Sequence, residues 1–254
     1  MSILVAEQVT KIYGEEKSAN STRALNGVSL EVQEGDFIAI MGPSGSGKST
    51  LISILSGILS LTSGSVSIAG QRIDTMNQYE MSLFRRRKLG FVFQEFNLLD
   101  QLTLKENVML PMVLDKVEKA KMEESASKVM NLFGIKDIQD KYPHEVSGGQ
   151  QQRAAVSRAL VNQPAIIFAD EPTGNLDSKS SNAVMTCFKV MNENEKATIL
   201  MVTHDVFAAS FCKQVIFIKD GTINMQITSH GSRQEFFERI LDCQAMVGGE
   251  NRDI

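Results

Sequence analysis

The run GPSGSGKST, Gly42 to Thr50, has the residue types and spacing of a phosphate cradle. Gly42, Gly45 and Gly47 let backbone N–H groups curl around an anion, with Pro43, Ser44 and Ser46 between them. Lys48 follows as a compact positive charge able to reach β- and γ-phosphates. Ser49 offers a hydroxyl to Mg²⁺, and Thr50 closes the run. A glycine-rich turn arising by chance would lack the strand pattern before it and the amphipathic pattern after it; both are present here.

Further along, AIIFADE supplies the acids such a cradle needs. Asp170 ends an apolar run, where a carboxylate without a partner is costly, and Mg²⁺ is its natural partner, directly or through water. Glu171 comes next and points differently, so it can orient and deprotonate a water; such a base contributes roughly 10²–10⁴-fold in rate. Gln94, in GFVFQEFNLL, follows another apolar strand and can touch the metal or the water. His204 ends the strand MVTHD on the same expected sheet edge as Asp170, where ligands bind in open α/β sheets. From there it can hydrogen-bond a γ-phosphate. Tyr13, in a chain with no tryptophan, can stack on a base such as adenine. A second anion-binding helix start then appears in EVSGGQQQRAAVSRAL, where Ser147, Gly148, Gly149 and Gln150 open a helix that has no lysine of the Lys48 kind.

The elements that must carry these residues alternate between strand and helix. ILVAEQVTKIY and GVSLEVQEGDFIAIMG read as strands, with EGD a turn and the polar GEEKSANSTRA a loop. In KSTLISILSGIL the apolar residues Leu51, Ile54, Leu55, Ile58 and Leu59 fall on one helical face. From about Met76 to Val161 the pattern is mainly helical, including MNQYEMSLFRRRKLG, with a basic last turn and a glycine as stop signals. AIIFAD reads as a buried parallel strand. TILMVTHD follows, then QVIFIKDGTINMQ with an Asp220-Gly221 hairpin. RQEFFERILDCQAMVGG puts Phe236, Phe237, Ile240 and Leu241 on one face of a closing helix that docks on its own domain. The expectation is an α/β fold in one domain, 1–254, with an inserted helical subdomain at about 95–161 and a helical tail at about 232–254.

Bulk properties narrow the function. A net charge of −4 and a pI near 5.5 give no pull toward nucleic acid, and Arg85-Arg86-Arg87-Lys88 reads as cations at a helix C-terminus. Cys187, Cys212 and Cys243 are far apart and odd in number, as in reduced thiols rather than a disulfide frame or a zinc site. The N-terminus has no signal-peptide pattern and no apolar run is long enough to span a bilayer, so at a membrane another chain must bring this one there.

Together the motifs resemble those of the ATP-binding subunits of ABC transporters. GPSGSGKST matches the phosphate loop, Gln94 the Q-loop, and VSGGQ (Val146–Gln150) the signature, with valine where the family usually has leucine. IIFADE matches the Mg²⁺ strand and base, GNLD (Gly174–Asp177) the D-loop, His204 the switch histidine and Tyr13 the adenine-stacking position. The resemblance implies a P-loop NTPase core with a mainly parallel sheet, an N-terminal antiparallel β subdomain and the inserted helical subdomain. It implies ATP and Mg²⁺ as ligands, with the metal at Ser49, Gln94 and Asp170 and catalysis by Glu171, His204 and Gln94. It also accounts for two anion-binding helix starts in one chain. Two copies pair head to tail, Ser147–Gln150 of one meeting the triphosphate held by the other, with Asp177 at the seam.

The stretches GFVFQEFNLLDQLTLKENVMLP and FADEPTGNLDSKS are similar to the branch of macrolide exporters and lipoprotein-release systems. The tail FFERILDCQAMVGG is similar to that of Bce-type ATPases, which serve bacitracin-type antimicrobial-peptide export and detoxification. That implies work on the cytoplasmic face of the membrane with a permease bearing a large extracellular domain, and a sensor histidine kinase reached through it. Phe96, Leu98 and Leu99 would grip a cytoplasmic helix of that permease, unless they are simple core packing. The alternative is an ATPase that drives a membrane signalling or mechanotransmission complex, of lipoprotein-release or cell-division type, without translocation. Soluble ABC ATPases acting on DNA or ribosomes carry two cassettes or an inserted coiled coil, and neither pattern is present.

Overall fold

The computed structural model describes residues 1–14 and 21–248. Residues 15–20, in the expected polar loop, and 249–254, at the end of the expected tail, lie outside the described residues. The chain divides into two compact units, Met1–Met81 with Leu200–Ile254, and Ser82–Ile199.

The first unit opens with β1 (Ser2–Tyr13) and β2 (Thr22–Gln33), which pair antiparallel. In β2 the residues Val28, Leu30 and Val32 are buried while Ser29, Glu31 and Gln33 are exposed, the alternation of a sheet with one wet face. The EGD turn closes on itself, Asp36 Oδ2 accepting from Gln33 N–H at 2.8 Å. It leads into β3 (Phe37–Met41), buried throughout, as befits a central parallel strand. After β3 come α1 (Lys48–Leu55), β4 (Ser63–Ile68) and β5 (Gln71–Arg72). The small sheet runs β2-β1-β4-β5.

The expected apolar face of α1 is shorter than its sequence pattern. The helix stops at Leu55, with Ser56 at the C-cap, and Ile58 is exposed. Met81 packs against Gly57, so that a Cβ there would lie 2.4 Å from the methionine Cε. Periodicity alone cannot register that stop.

α2 (Gln78–Lys88) runs into the second unit and passes directly into β6 (Leu89–Val92). Gly90 is therefore a strand residue, not the helix stop expected of it. A Cβ there would come within 2.6 Å of the Ala159 carbonyl, so the small residue serves close packing. The cations of α2 are held locally: Arg86 Nη1 donates to Leu114 O at 3.0 Å, and Arg87 pairs with Asp115 at 2.8 Å. Their place in the last turn of α2 is the one expected, while these partners lie 28 residues further along the chain.

The helices α3 (Leu104–Leu114), α4 (Lys119–Leu132) and α5 (Gly148–Leu160) follow, then β7 (Ile166–Asp170) and α6 (Ser178–Asn194). A Thr103/Glu106 capping box starts α3. The pair β6–β7 is parallel.

The first unit resumes in β8 (Ile199–Val202), which begins at the boundary, then α7 (Val206–Ala209), β9 (Gln214–Lys219), β10 (Thr222–Thr228) and α8 (Arg233–Gly248). Its strands run β10-β9-β3-β8, with β3 parallel to β9 and the β9–β10 hairpin turned at Asp220 and Gly221. As expected, α8 docks on its own domain, burying Phe236, Ile240 and Val247. Leu241, expected on the same face, is 40% exposed and instead borders a recess of about 290 Å³ that Gly42 and Pro43 also line. All three cysteines are free thiols; burial pushes Cys187 up to about 12 and raises Cys212 as well.

Candidate active site

In the first unit, the loop between β3 and α1 is shaped by close approach. Gly42 has φ 155, and a Cβ there would lie 2.1 Å from the Ile218 carbonyl. At Gly47, φ 100, it would lie 2.5 Å from the Ala24 carbonyl. Only glycine fits either position. Pro43, Ser44 and Gly45 are exposed and Ser46 is buried, its Oγ without a hydrogen-bond partner among the described residues. The Lys48 ammonium donates to the carbonyls of Gly42 and Pro43, both at 2.9 Å, and so folds over its own loop. Ser49 is exposed in the first turn of α1, where helix N–H groups are unpaired within the helix, and Thr50 is half-buried. This donor set, one lysine, hydroxyls and a helix start behind a glycine cradle, fits a polyphosphate.

Tyr13 is 43% exposed, too open for a core residue, with its hydroxyl 3.4 Å from Thr50 Oγ1 and the Lys11 ammonium 5.3 Å from the ring centroid. It therefore stands beside α1 with ring surface available for stacking. His204 is exposed after β8, and its carbonyl lies 3.5 Å from Gln244 Nε2 of α8.

In the second unit, Asp170 ends β7 half-buried, and Glu171 follows at φ 45. A non-glycine residue in the left-handed region stores roughly 1–3 kcal/mol, and such strain clusters at working sites. It also breaks the strand alternation, so the two acids are differently aimed. Gln94 is exposed and tied to the GNLD turn: its Nε2 donates to Asn175 Oδ1 at 3.1 Å, and Asn175 Nδ2 donates back to Gln94 O at 3.3 Å. The sequence marks Asn175 only as a member of GNLD, and its pairing with Gln94 emerges in the structure. The amide oxygen of Gln94 remains usable as an oxygen ligand.

The signature residues open α5 with a capping box. Ser147 Oγ accepts from Gln150 N–H at 3.4 Å, and Gln150 Oε1 accepts from Ser147 N–H at 2.9 Å. The side chain of Gln150 thus braces the helix start. Helix geometry leaves the first-turn N–H groups of Gly148 and Gly149 without a partner inside the helix, and the Ser147 hydroxyl keeps a hydrogen to donate. Gly149 is buried, and a Cβ there would lie 2.8 Å from Ser180 Cβ, so α5 and α6 touch at this point. Asp177 is the N-cap of α6: Oδ1 accepts from Lys179 and Ser180 N–H, and Oδ2 from Ser180 Oγ at 2.7 Å. The Ser180 bonds hold its carboxyl below the usual carboxylate range. The sequence reading assigned Asp177 to nucleotide and dimer contacts; a capping role was missed.

Phe96 is half-buried and packs near the start of α5, 3.4 Å from where a Gly148 Cβ would sit. Leu98 is half-buried and Leu99 is 45% exposed. The three residues therefore divide between packing and surface.

A phosphate loop after a buried parallel strand, together with a strand-end Asp-Glu pair, defines a P-loop ATPase. A protein-family description of the ABC transporter matches residues 25–174. The chain is 49% identical over 250 residues to the uncharacterized ABC transporter ATP-binding protein YvcR of Bacillus subtilis, covering 98% of this chain and 96% of that one. It is 47% identical over 254 residues, all of both chains, to the bacitracin export ATP-binding protein BceA of Halalkalibacterium halodurans. Its fold matches the dimeric post-hydrolysis structure of the ATP-binding cassette MJ0796 of Methanocaldococcus jannaschii, bound to ADP and Pi. There the TM-score is 0.80 at 37% identity, covering 90% of this chain and 100% of that one. The chain belongs to the ABC transporter family as an ATP-binding subunit, and its activity is ATP hydrolysis.

Proposed function

We propose that this chain is the motor of a bacitracin-type antimicrobial-peptide export or detoxification system at the cytoplasmic face of the membrane. The observation that carries this reading is its end-to-end 47% identity with BceA, including the stretch that forms α8. The permease carries a large extracellular domain and hands the state of the ATPase to a sensor histidine kinase. Among the described residues no helix is long and apolar enough to cross a membrane, so the permease supplies the anchorage.

Residue roles follow from the chemistry of each group. Lys48 and the loop amides of Gly42–Ser46 bind the phosphates, with the adenine on Tyr13. Ser49, Asp170 and Gln94 would hold Mg²⁺, which supplies neutralising charge on the phosphate oxygens. Glu171 takes the proton of the attacking water and His204 donates a hydrogen bond to the γ-phosphate. Ser147, Gly148 and Gly149 serve the triphosphate held by a second copy, and Gln150 keeps their helix start in shape. Asp177 fixes the turn at the seam. The helices at about 95–161 form the subdomain that meets the permease.

The test is reconstitution in vesicles with a permease encoded beside this chain. Bacitracin-type peptide should stimulate ATP turnover, and Glu171→Gln should abolish both turnover and peptide resistance in cells. Turnover that alters kinase signalling while leaving peptide movement and resistance untouched would replace export with mechanotransmission.

A further inference from the structure

Among the long polar side chains of α5 that the roles above leave unused are Gln152 and Arg158. Gln152 is 0% exposed. Its Nε2 donates to the Phe93 carbonyl at 3.0 Å and to the Pro172 carbonyl at 2.6 Å. Phe93 immediately precedes Gln94, and Pro172 immediately follows Glu171. An amide NH₂ has two hydrogens, so both are engaged and the side chain can face only one way. Its Oε1 has no hydrogen-bond partner among the described residues. An apolar side chain would avoid that penalty, so the two donated bonds are the reason an amide suits this position.

Arg158, six residues on, donates to the carbonyls of Phe96 at 2.9 Å and of Asn97. Both acceptors sit in the left-handed region, at φ 59 and 50. Burial pushes the guanidinium below its usual value, and these carbonyls accept from two of its five N–H groups. One helix therefore holds the backbone on both sides of Gln94 and beside Glu171.

We propose that Gln152 is a positioning residue for ATP hydrolysis. Its single amide fixes the Gln94 backbone relative to that of Glu171 and ties both to the helix that begins at Ser147. Glu171 sits at φ 45, a conformation its surroundings must hold. Proline has no N–H, so Pro172 itself can be held through its backbone only by its carbonyl. The inference rests on the roles given to Gln94 and Glu171 under Proposed function.

The experiment compares wild type, Gln152→Met and Glu171→Gln as full chains, measuring kcat, ATP affinity and thermal midpoint. Methionine keeps the length and flexibility of glutamine without its N–H groups. Gln152→Met should lower kcat by at least about fivefold, since small misplacements of reacting groups have large rate effects. Its ATP affinity should stay within about twofold, because Lys48 and its loop belong to the other compact unit. A smaller fall in kcat, or a fall in affinity parallel to it, overturns the proposal. Should Gln152→Met not fold, Gln152→Glu, with no N–H either, is read by the same criteria. If Glu171→Gln turns over ATP at the wild-type rate, the site assignment beneath the inference fails. If Glu171→Gln is inactive while Gln152→Met is as fast as wild type, the positioning role alone fails.

Discussion

At the scale of single residues, the roles proposed for Lys48 and Glu171 divide binding from chemistry. The Lys48 ammonium makes two 2.9 Å bonds to its own loop, which hold it at the glycine cradle. Lys48→Ala should weaken ATP affinity by at least about a hundredfold, two powers of ten or some 2.7 kcal/mol, checked by titration of the full chain with a fluorescent ATP analogue. Unchanged affinity would remove the phosphate assignment. Glu171→Gln keeps side-chain shape and the backbone at φ 45 but loses the base. Binding should persist while turnover drops by roughly 10²–10⁴-fold, measured as phosphate release at saturating ATP. Normal release would reassign the base.

Several helices are started here by side-chain caps, and two of these caps use residues of the candidate site. Ser147 with Gln150 starts α5, Asp177 starts α6, and Thr103 with Glu106 starts α3. Asp177 and Glu106 both have lowered pKa values, from the Ser180 hydroxyl in the first case and the Thr103 backbone N–H in the second. A carboxylate with a depressed folded-state pKa stabilises fully above its unfolded value, and that contribution is lost as pH falls through the folded value. The loss therefore begins near pH 4 and continues downward, about where unfolded carboxylates titrate. Asn also caps helices well, so Asp177→Asn should leave the urea midpoint nearly unchanged at pH 7. Between about pH 5 and pH 3 it should shallow the acid-induced decline relative to wild type. An identical decline in both proteins would show that the cap does not contribute to acid sensitivity.

For the whole molecule, the two helix starts proposed to bind anions make a prediction that one chain cannot satisfy alone. The phosphate loop lies in the unit formed by Met1–Met81 and Leu200–Ile254, and the signature helix lies in Ser82–Ile199. Ser147→Arg places a bulky side chain at the exposed cap of α5 without touching the phosphate loop. Binding of nucleotide by a single copy should be retained, while the ATP-dependent dimer seen by light scattering in the Glu171→Gln background should disappear. Dimers that still form would refute the shared site.

The nucleotide motifs were readable in the linear chain because each needs particular atoms at short spacing: glycines before Lys48, an apolar strand before Asp170, a serine and glycines before Gln150. Strand and helix types were readable too, because burial on one face or two leaves a period in the residues. Three-dimensional packing decided the rest. It stopped α1 at Leu55, placed Gly90 in a strand, turned Leu241 away from the buried face of α8 and gave Asp177 a capping role. It also brought Gln152 against Phe93 and Pro172, which lie 59 and 20 residues away along the chain. No local pattern encodes such contacts, since a buried amide and an exposed one are the same letter until the carbonyls that receive its hydrogens are in place.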